Sequence, residues 1–447
     1  MKRENKAKIA VLTLGCSKNV VDSEVLLGHL SKGKVTIAAE ADQADVLVIN
    51  TCGFIDAAKQ ESIDAILEAV EQKKNGSLKK VVVMGCLSER FKEDLKKEIP
   101  DVDAYFGTNQ LAQVITELGV DYKKELLGER SLSTPRHYAY LKISEGCDHP
   151  CSFCAIPLMR GKHLTKPIEE VIREAESLAS KGVRELIVIG QDTTSYGIDL
   201  YGKSRISELI KSLSKVRGID WIRLMYAYPA HFPEELISMM RNSRTICRYL
   251  DLPIQHIADP VLRSMRRGIT KRATEELLTR LRNEIPDLAL RTTLILGYPE
   301  EGEKEFEELR EFVTEFKFDR LGVFTYSHEE GTSAYALEDR IPGEIKEERK
   351  NTIMKIQQEI SETRNQRLIG KDLRVLVDRR EGEYAIARSE WDAPDIDQEI
   401  YISDPDSSLP PGTMTQVHIT DATEYDLMAE HVGLTVHRTS PTPSVRS

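Results

Sequence analysis

Residues 146–154 read GCDHPCSFC, which places Cys147, Cys151 and Cys154 within eight residues. Thiols at that density hold metal. A closed zinc site needs a fourth Cys or His, so three thiols point instead to an iron–sulfur cluster with one iron left open for a substrate or cofactor. His149 lies inside the loop, but the short C-D-H-P-C link makes it an awkward partner for its neighbours. Cys247 precedes the run RYLDLPI, at the opposite end of its element, and reads as a core residue. Cys16, Cys52 and Cys86 repeat one context: each closes an apolar run (KIAVLTLGC, ADVLVINTC, KKVVVMGC) just before a helical pattern. Buried structural cysteines would fall inside such runs rather than after a Gly or Thr at their ends. Seven cysteines in a 447-residue chain is an odd count, which argues for metal or catalysis over a disulfide framework.

The elements that position these thiols follow from periodicity. Over the first 120 or so residues, short apolar runs alternate with amphipathic helical patterns, which predicts a doubly wound parallel α/β domain. Its strand ends share one edge, where ligands bind, so three thiols distant in sequence converge. From about Ala139 the alternation restarts. Six strands with intervening helices predict a full or partial β/α barrel, whose first strand, AYLKISEGC, delivers Cys147 to the chemically active end. A charged helix over Ile345 to Ile369 then leads into alternating residues with Gly and Pro turns, which predict a small antiparallel β-barrel. The expected domains are 1–125, 136–368 and 369–435. A Pro/Ser/Thr-rich tail at 436–447 is expected to be disordered.

Composition narrows the function. With 40% hydrophobic and 30% charged residues the chain is globular, and a net charge of −11 argues against a general nucleic-acid binder. No apolar run approaches the roughly 20 residues that span a bilayer. The apolar stretch Ile9 to Leu14 is too short for a signal peptide and reads as a strand, so the chain is expected to be cytoplasmic.

A C-x3-C-x2-C loop after the first strand of a barrel, with Phe153 before the last cysteine, resembles the radical S-adenosylmethionine superfamily. That resemblance implies a 4Fe–4S cluster on Cys147, Cys151 and Cys154. Its open iron would bind S-adenosylmethionine, which is cleaved to a radical that takes an unactivated hydrogen. Gly190 and Gln191 stand where the superfamily holds the methionyl amine, and Gln255 and His256 where ribose contacts lie. TTLILGYPEE, with Ile295 and Gly297, resembles the adenine-supporting segment, although Thr293 and Glu300 replace glycines often found there. The C-terminal segment resembles a TRAM domain, which many relatives use to grip RNA. All three parts in this order are similar to the methylthiotransferases. That family implies a second 4Fe–4S cluster on Cys16, Cys52 and Cys86, which carries the sulfur to be inserted into a C–H bond, and an electron-donor reductase.

Two substrates compete within that family: a modified adenosine in tRNA, and the β-carbon of an aspartate in a small-subunit ribosomal protein. Between Gly370 and Leu434 there are 15 Asp/Glu against 5 Lys/Arg. RNA affinity rests on basic side chains, so this domain is a poor RNA grip, whereas an acidic surface suits a basic protein. HYAYLKISEGCDHPCSFCAIP, WIRLMYAYP and DAPDIDQ also resemble the ribosomal-protein branch, and Trp391 is a candidate for docking the target loop. Outside this class stand a metal-stapled binding protein without turnover and a P-loop nucleotide hydrolase. The latter rests on GIDLYGKS (197–204), which matches G-x4-G-K-S but is separated from its strand and carries an acidic Asp199.

Overall fold

The computed structural model describes residues 7–122 and 129–432. The expected tail at 436–447 and the outer ends of the 1–125 and 369–435 segments lie outside the described residues.

The first domain is a parallel sheet of β1 (Lys8–Thr13), β2 (Thr36–Ile37), β3 (Val46–Thr51), β4 (Lys80–Gly85) and β5 (Ala104–Tyr105), in the order β2-β1-β3-β4-β5. Its helices are α1 (Ser17–Ser31), α2 (Asp56–Lys74), α3 (Cys86–Glu98) and α4 (Leu111–Glu117). Successive strand side chains point to opposite faces. Leu47, Ile49, Val81 and Val83 therefore meet Ile66 of α2 and Leu87 of α3, whereas Val48, Val82 and Met84 meet Leu26 of α1 and Val114 of α4. Burial on both faces is why the strands read as unbroken apolar runs. The strand order reverses at β1 and β3, and the crevice at such a reversal is where open α/β sheets bind ligands.

The second domain opens with β6 (Tyr138–Lys142) and the antiparallel pair β7 (Ser144–Glu145) and β8 (Leu164–Thr165). It continues through β9 (Glu185–Ile189), β10 (Trp221–Leu224), β11 (Ile246–Asp251), β12 (Ala289–Leu296) and β13 (Arg320–Thr325). The parallel order β13-β12-β11-β10-β9-β6 is an open six-stranded sheet, a partial rather than a full barrel. Around it run α5 (Ile156–Arg160), α6 (Ile168–Ser180), α7 (Ile198–Tyr201), α8 (Ile206–Leu213), α9 (Glu234–Asn242), α10 (Asp259–Ser264), α11 (Lys271–Glu284), α12 (Glu303–Phe316) and α13 (Gly343–Gln366). In α6, Val171, Ala175 and Leu178 recur at helical spacing and enter the core beneath the sheet. Cys247 is a core residue, but it lies inside β11 rather than before it, and is 1% exposed.

The chain divides into two compact units after Gln357, within α13. Early in that helix Arg349 is 2.8 Å from Glu301. At its end, Asn365 Nδ2 donates to Thr423 O at 2.9 Å and Gln366 Nε2 to Ala422 O at 3.1 Å. The second unit closes into an antiparallel-rich barrel of β14 (Asp372–Glu381), β15 (Tyr384–Ser389), β16 (Ile400–Ser403), β17 (Met414–Ala422) and β18 (Leu427–His431), ordered β14-β15-β16-β18-β17. Closure removes exposed sheet edges. Three of its cations are spent on its own acids: Arg379 pairs with Glu381 and Glu399, Arg380 with Asp404 and Arg388 with Asp378. Trp391 is half-buried against the barrel core. Among the described residues no helix is long and apolar enough to cross a membrane.

Candidate active site: two cysteine trios at the strand ends

Cys16 follows β1, Cys52 follows β3 and Cys86 opens α3 directly after β4. Glycines make the turns possible. Gly15 and Gly85 take φ values of +89° and +105°, which favour glycine. A Cβ on Gly15 would stand 2.7 Å from Cys52 Cβ, and one on Gly85 2.6 Å from Thr51 O. The turns are thus stacked without room for a side chain, and the three thiols converge. Asn19, fully buried, donates to Leu14 O at 2.7 Å and Thr51 O at 3.1 Å, while Asn50 Nδ2 donates to Asn19 O at 3.0 Å. Burial pushes the Cys86 thiol up to about 12, against the pull of Arg160, with Cys16 and Cys52 adding to the rise. Thiols so raised stay protonated until a metal takes the proton's place.

The second trio sits where β6 and β7 deliver Gly146, whose φ is +74° and whose Cβ would overlap Lys162 O at 2.0 Å. Cys147 N donates to Gly161 O at 3.2 Å and Cys154 N to Cys151 O at 3.2 Å, which wraps the loop around its thiols. Burial raises Cys147 and Cys154 to about 12 each. Arg267 Nη1 donates to Cys151 Sγ at 3.4 Å and its guanidinium lies over the Tyr228 ring. His149 is engaged elsewhere: its Nε2 is 2.6 Å from Asp192 Oδ2 and its ring stacks on Tyr228 at 3.7 Å. Among the described residues no set of three or more His, Cys, Asp or Glu side chains is arranged as a single-ion site, the two trios included.

Of the residues expected to hold S-adenosylmethionine, most surround this loop. Phe153 and Ile295 share one apolar cluster with Tyr298 and Tyr326. Gln255 holds a positive φ of 71° and bridges to β12, with Ile295 N donating to Gln255 O at 2.8 Å. Gln191 Nε2 donates to Glu145 Oε1 at 2.7 Å. Gln191 Oε1 and Gln255 Oε1 are buried with no hydrogen-bond partner, a costly state that a bound ligand's donors would relieve. These features fit a polar cofactor beside the trio. A Cβ on Gly190 would meet Ser144 Oγ at 2.7 Å, so the neighbouring strand pair fills that space. Gly297 is likewise crowded, since a Cβ there would meet Lys346 Cγ of α13 at 2.2 Å.

The two trios face each other. Cys86 shares a small apolar cluster with Ala155 and Met159, and Ala155 adjoins Cys154. Arg160, 3% exposed, donates from Nε to Cys86 Sγ at 3.3 Å, from Nη2 to Asn19 Oδ1 at 2.5 Å, and from Nη1 to Asp22 at 2.7 Å and Glu145 at 3.2 Å. Lys142 joins the same carboxylates, Glu145 at 2.7 Å and Asp22. Further out, Arg130 binds Glu24 at 3.0 Å and Glu174 at 2.8 Å, and Arg90 binds Glu329 at 2.6 Å. Sequence reasoning missed Arg160, Arg267 and Lys18. Arg160 stands six residues after Cys154 and Lys18 two after Cys16, so proximity to the motifs was the only available signal.

Comparisons with known proteins agree with this arrangement. Family models match in chain order: "Uncharacterized protein family UPF0004" at residues 8–107, "Radical SAM superfamily" at 141–313 and "TRAM domain" at 369–432. A protein of Christiangramia forsetii named ribosomal protein uS12 methylthiotransferase RimO is 53% identical over 433 residues, covering 97% of this chain and 96% of the relative. One of the same name from Chloroherpeton thalassium is 54% identical over 430 residues, covering 96% and 99%. The chain belongs to the ribosomal protein uS12 methylthiotransferase family. Among solved structures, the radical S-adenosylmethionine methyltransferase TsrM from Kitasatospora setae, with cobalamin and a [4Fe-4S] cluster bound, superposes with a TM-score of 0.53 at 14% identity. The match covers 72% of this chain and 75% of that one, a likeness of fold.

GIDLYGKS is no phosphate cradle. Four of its residues form α7, and the Asp199 carboxylate accepts from Thr165 N at 2.9 Å, which places a negative charge where a triphosphate would lie.

Proposed function

We propose that the chain methylthiolates the β-carbon of an aspartate in ribosomal protein uS12, with two 4Fe–4S clusters and S-adenosylmethionine as cofactors. The observation that carries this is the link between the two three-cysteine sets through Cys86, Ala155 and Arg160. Cys147, Cys151 and Cys154 hold one cluster, and Cys16, Cys52 and Cys86 the other. Phe153, Gly190, Gln191, Gln255 and Ile295 flank S-adenosylmethionine; Gly297 serves the backbone turn beneath it. When bound, these groups supply one-electron chemistry able to take hydrogen from an unactivated carbon and to place sulfur there.

The chain's own contribution is position and electrostatics. Arg160 and Arg267 donate to cluster thiols and lower the cost of their negative charge. The target carbon would be held between the two trios, where orientation replaces a chance encounter. Segment 1–125 presents the sulfur, 136–368 generates the radical, and the acidic barrel of 369–435 contacts the basic protein substrate. A reductase supplies electrons, and the enzyme works in the cytoplasm, where its target is made.

The test is mass spectrometry after anaerobic incubation with S-adenosylmethionine, sulfide and reductant, with a peptide of the uS12 loop in one tube and unmodified precursor tRNA in another. A methylthio mass shift on the peptide's aspartate is expected. A shift on tRNA alone would overturn the substrate assignment.

A further inference from the structure

We infer that Lys18 is the residue that recognises the carboxylate of the target aspartate and so sets the reacting carbon; this rests on the function proposed above. Lys18 is the second residue of α1, two positions after Cys16. The side chain is only 7% exposed, and among the described residues its ammonium makes no hydrogen bond or ion pair. Its one close partner is the ring of Tyr226, whose centroid lies 2.9 Å from Nζ.

Three costs meet at this side chain. A cationic side chain largely withdrawn from water, with no carboxylate of the chain beside it, is costly to the fold. A cation in the first turn of a helix also opposes the helix dipole, and α1 has no acidic residue in that turn to offset it. Lastly, Tyr226 itself is held in an unfavourable backbone conformation, φ 58°, by Asp251 Oδ2 on its N–H at 3.0 Å and by Thr193 N on its carbonyl at 3.0 Å. Ser17 Oγ and Tyr226 Oη lie 3.4 Å apart and complete the wall. Such costs persist where a ligand relieves them. The ligand must be an anion, since both the ammonium and the N-terminus of α1 attract negative charge.

Position selects which anion. Tyr226 follows β10 at the C-terminal end of that strand, and Lys18 adjoins Cys16, so the ammonium joins an element from each of the two domains that carry a cysteine trio. In aspartate the carboxylate carbon is bonded directly to the β-carbon. An ammonium gripping that carboxylate therefore fixes the reacting carbon within one bond, beside the sulfur-bearing site. The carboxylate of S-adenosylmethionine offers the same chemistry, but its expected place is the other trio, beside Gln191 and Gln255.

The test uses the reconstituted holoenzyme, without reductant, and measures equilibrium binding of the uS12-loop peptide and of the same peptide with its aspartate replaced by asparagine. A charge-assisted contact of this kind discriminates by about 10- to 100-fold. Wild type is expected to prefer the aspartate peptide by that factor, K18M to bind both alike, and K18R to regain part of the preference with iron content intact. A K18M protein that keeps the preference would overturn the inference. So would weaker S-adenosylmethionine binding with the peptide preference unaltered, which would assign the ammonium to the cofactor, or loss of iron in both variants, which would make Lys18 structural. Failure of wild type to methylthiolate the aspartate peptide would instead strike the proposed function.

Discussion

Arg160 Nε lies 3.3 Å from Cys86 Sγ, so a guanidinium carried on the helix that follows one cysteine loop donates to a thiol of the other. The same guanidinium reaches Asn19, Asp22 and Glu145, and Glu145 in turn accepts from Gln191. One buried side chain thus ties together the strand-end turns of two domains.

Removing it breaks that tie from both sides. R160M leaves Asp22 and Glu145 with one cation fewer, and loss of one partner of a buried pair costs about 3–5 kcal/mol. We expect a lower denaturation midpoint, an altered EPR signature for the cluster on Cys16, Cys52 and Cys86, and partial recovery of both in R160K. An R160M protein with wild-type stability and an unshifted spectrum would show the contact to be incidental.

The glycine turns predict a second contrast. G15A forces a Cβ to within 2.7 Å of Cys52 Cβ and strains a φ of +89°, so it should displace the thiol and reduce bound iron to that of a single cluster. G76A carries the same backbone strain at φ +85° but meets nothing within 4 Å. It should cost about 1–2 kcal/mol of stability and leave iron unchanged. Equal iron in the two variants would refute the idea that Gly15 sets the spacing of the trio.

These relationships mark the boundary of what the chain displays before folding. The strands, their parallel type and the placement of Cys16, Cys52, Cys86 and Cys147 at strand ends were legible because they rest on local periodicity and on residue type at an element's end. The occupant of the space at Gly297 was not, since Lys346 arrives from a helix 49 positions on. Nor was the closed seam: Arg160, Lys18 and Tyr226 owe their roles to the meeting of two domains, and no spacing rule connects residue 18 with residue 226.

Asp404 gives the C-terminal barrel a defined acid limit. Burial alone would push its carboxyl up, but hydrogen bonds from Ser408 Oγ and N, Leu409 N and Arg380 outweigh it and hold it at about 2, below its ordinary 3.8. Its contribution to stability is therefore complete above the ordinary value and is lost as pH falls from about 4 to about 2. In urea titrations of the full chain, followed by a probe of the barrel, D404N should be less stable than wild type at neutral pH. The gap should close on acidification through that window. A gap that stays constant down to about pH 2 would mean that the carboxylate's charge is not what holds the turn.

The exposed acids of the same barrel bear on the partner. Arg379, Arg380 and Arg388 are already paired within it, so Glu383, Asp395 and Asp406 face solvent as unshielded negative charge. If that surface meets a basic ribosomal protein, the charges act mainly on encounter and fade as salt screens them, over about 10 Å at 0.1 M. Replacing all three by their amides should raise KM for intact uS12 several-fold at low salt, leave kcat near wild type, and converge with wild type at high salt. The short loop peptide, which lacks the rest of the basic protein, should show no such change. If the intact protein and the peptide respond alike, the acidic barrel is a solubilising surface and the substrate is held by the seam between the cysteine trios alone.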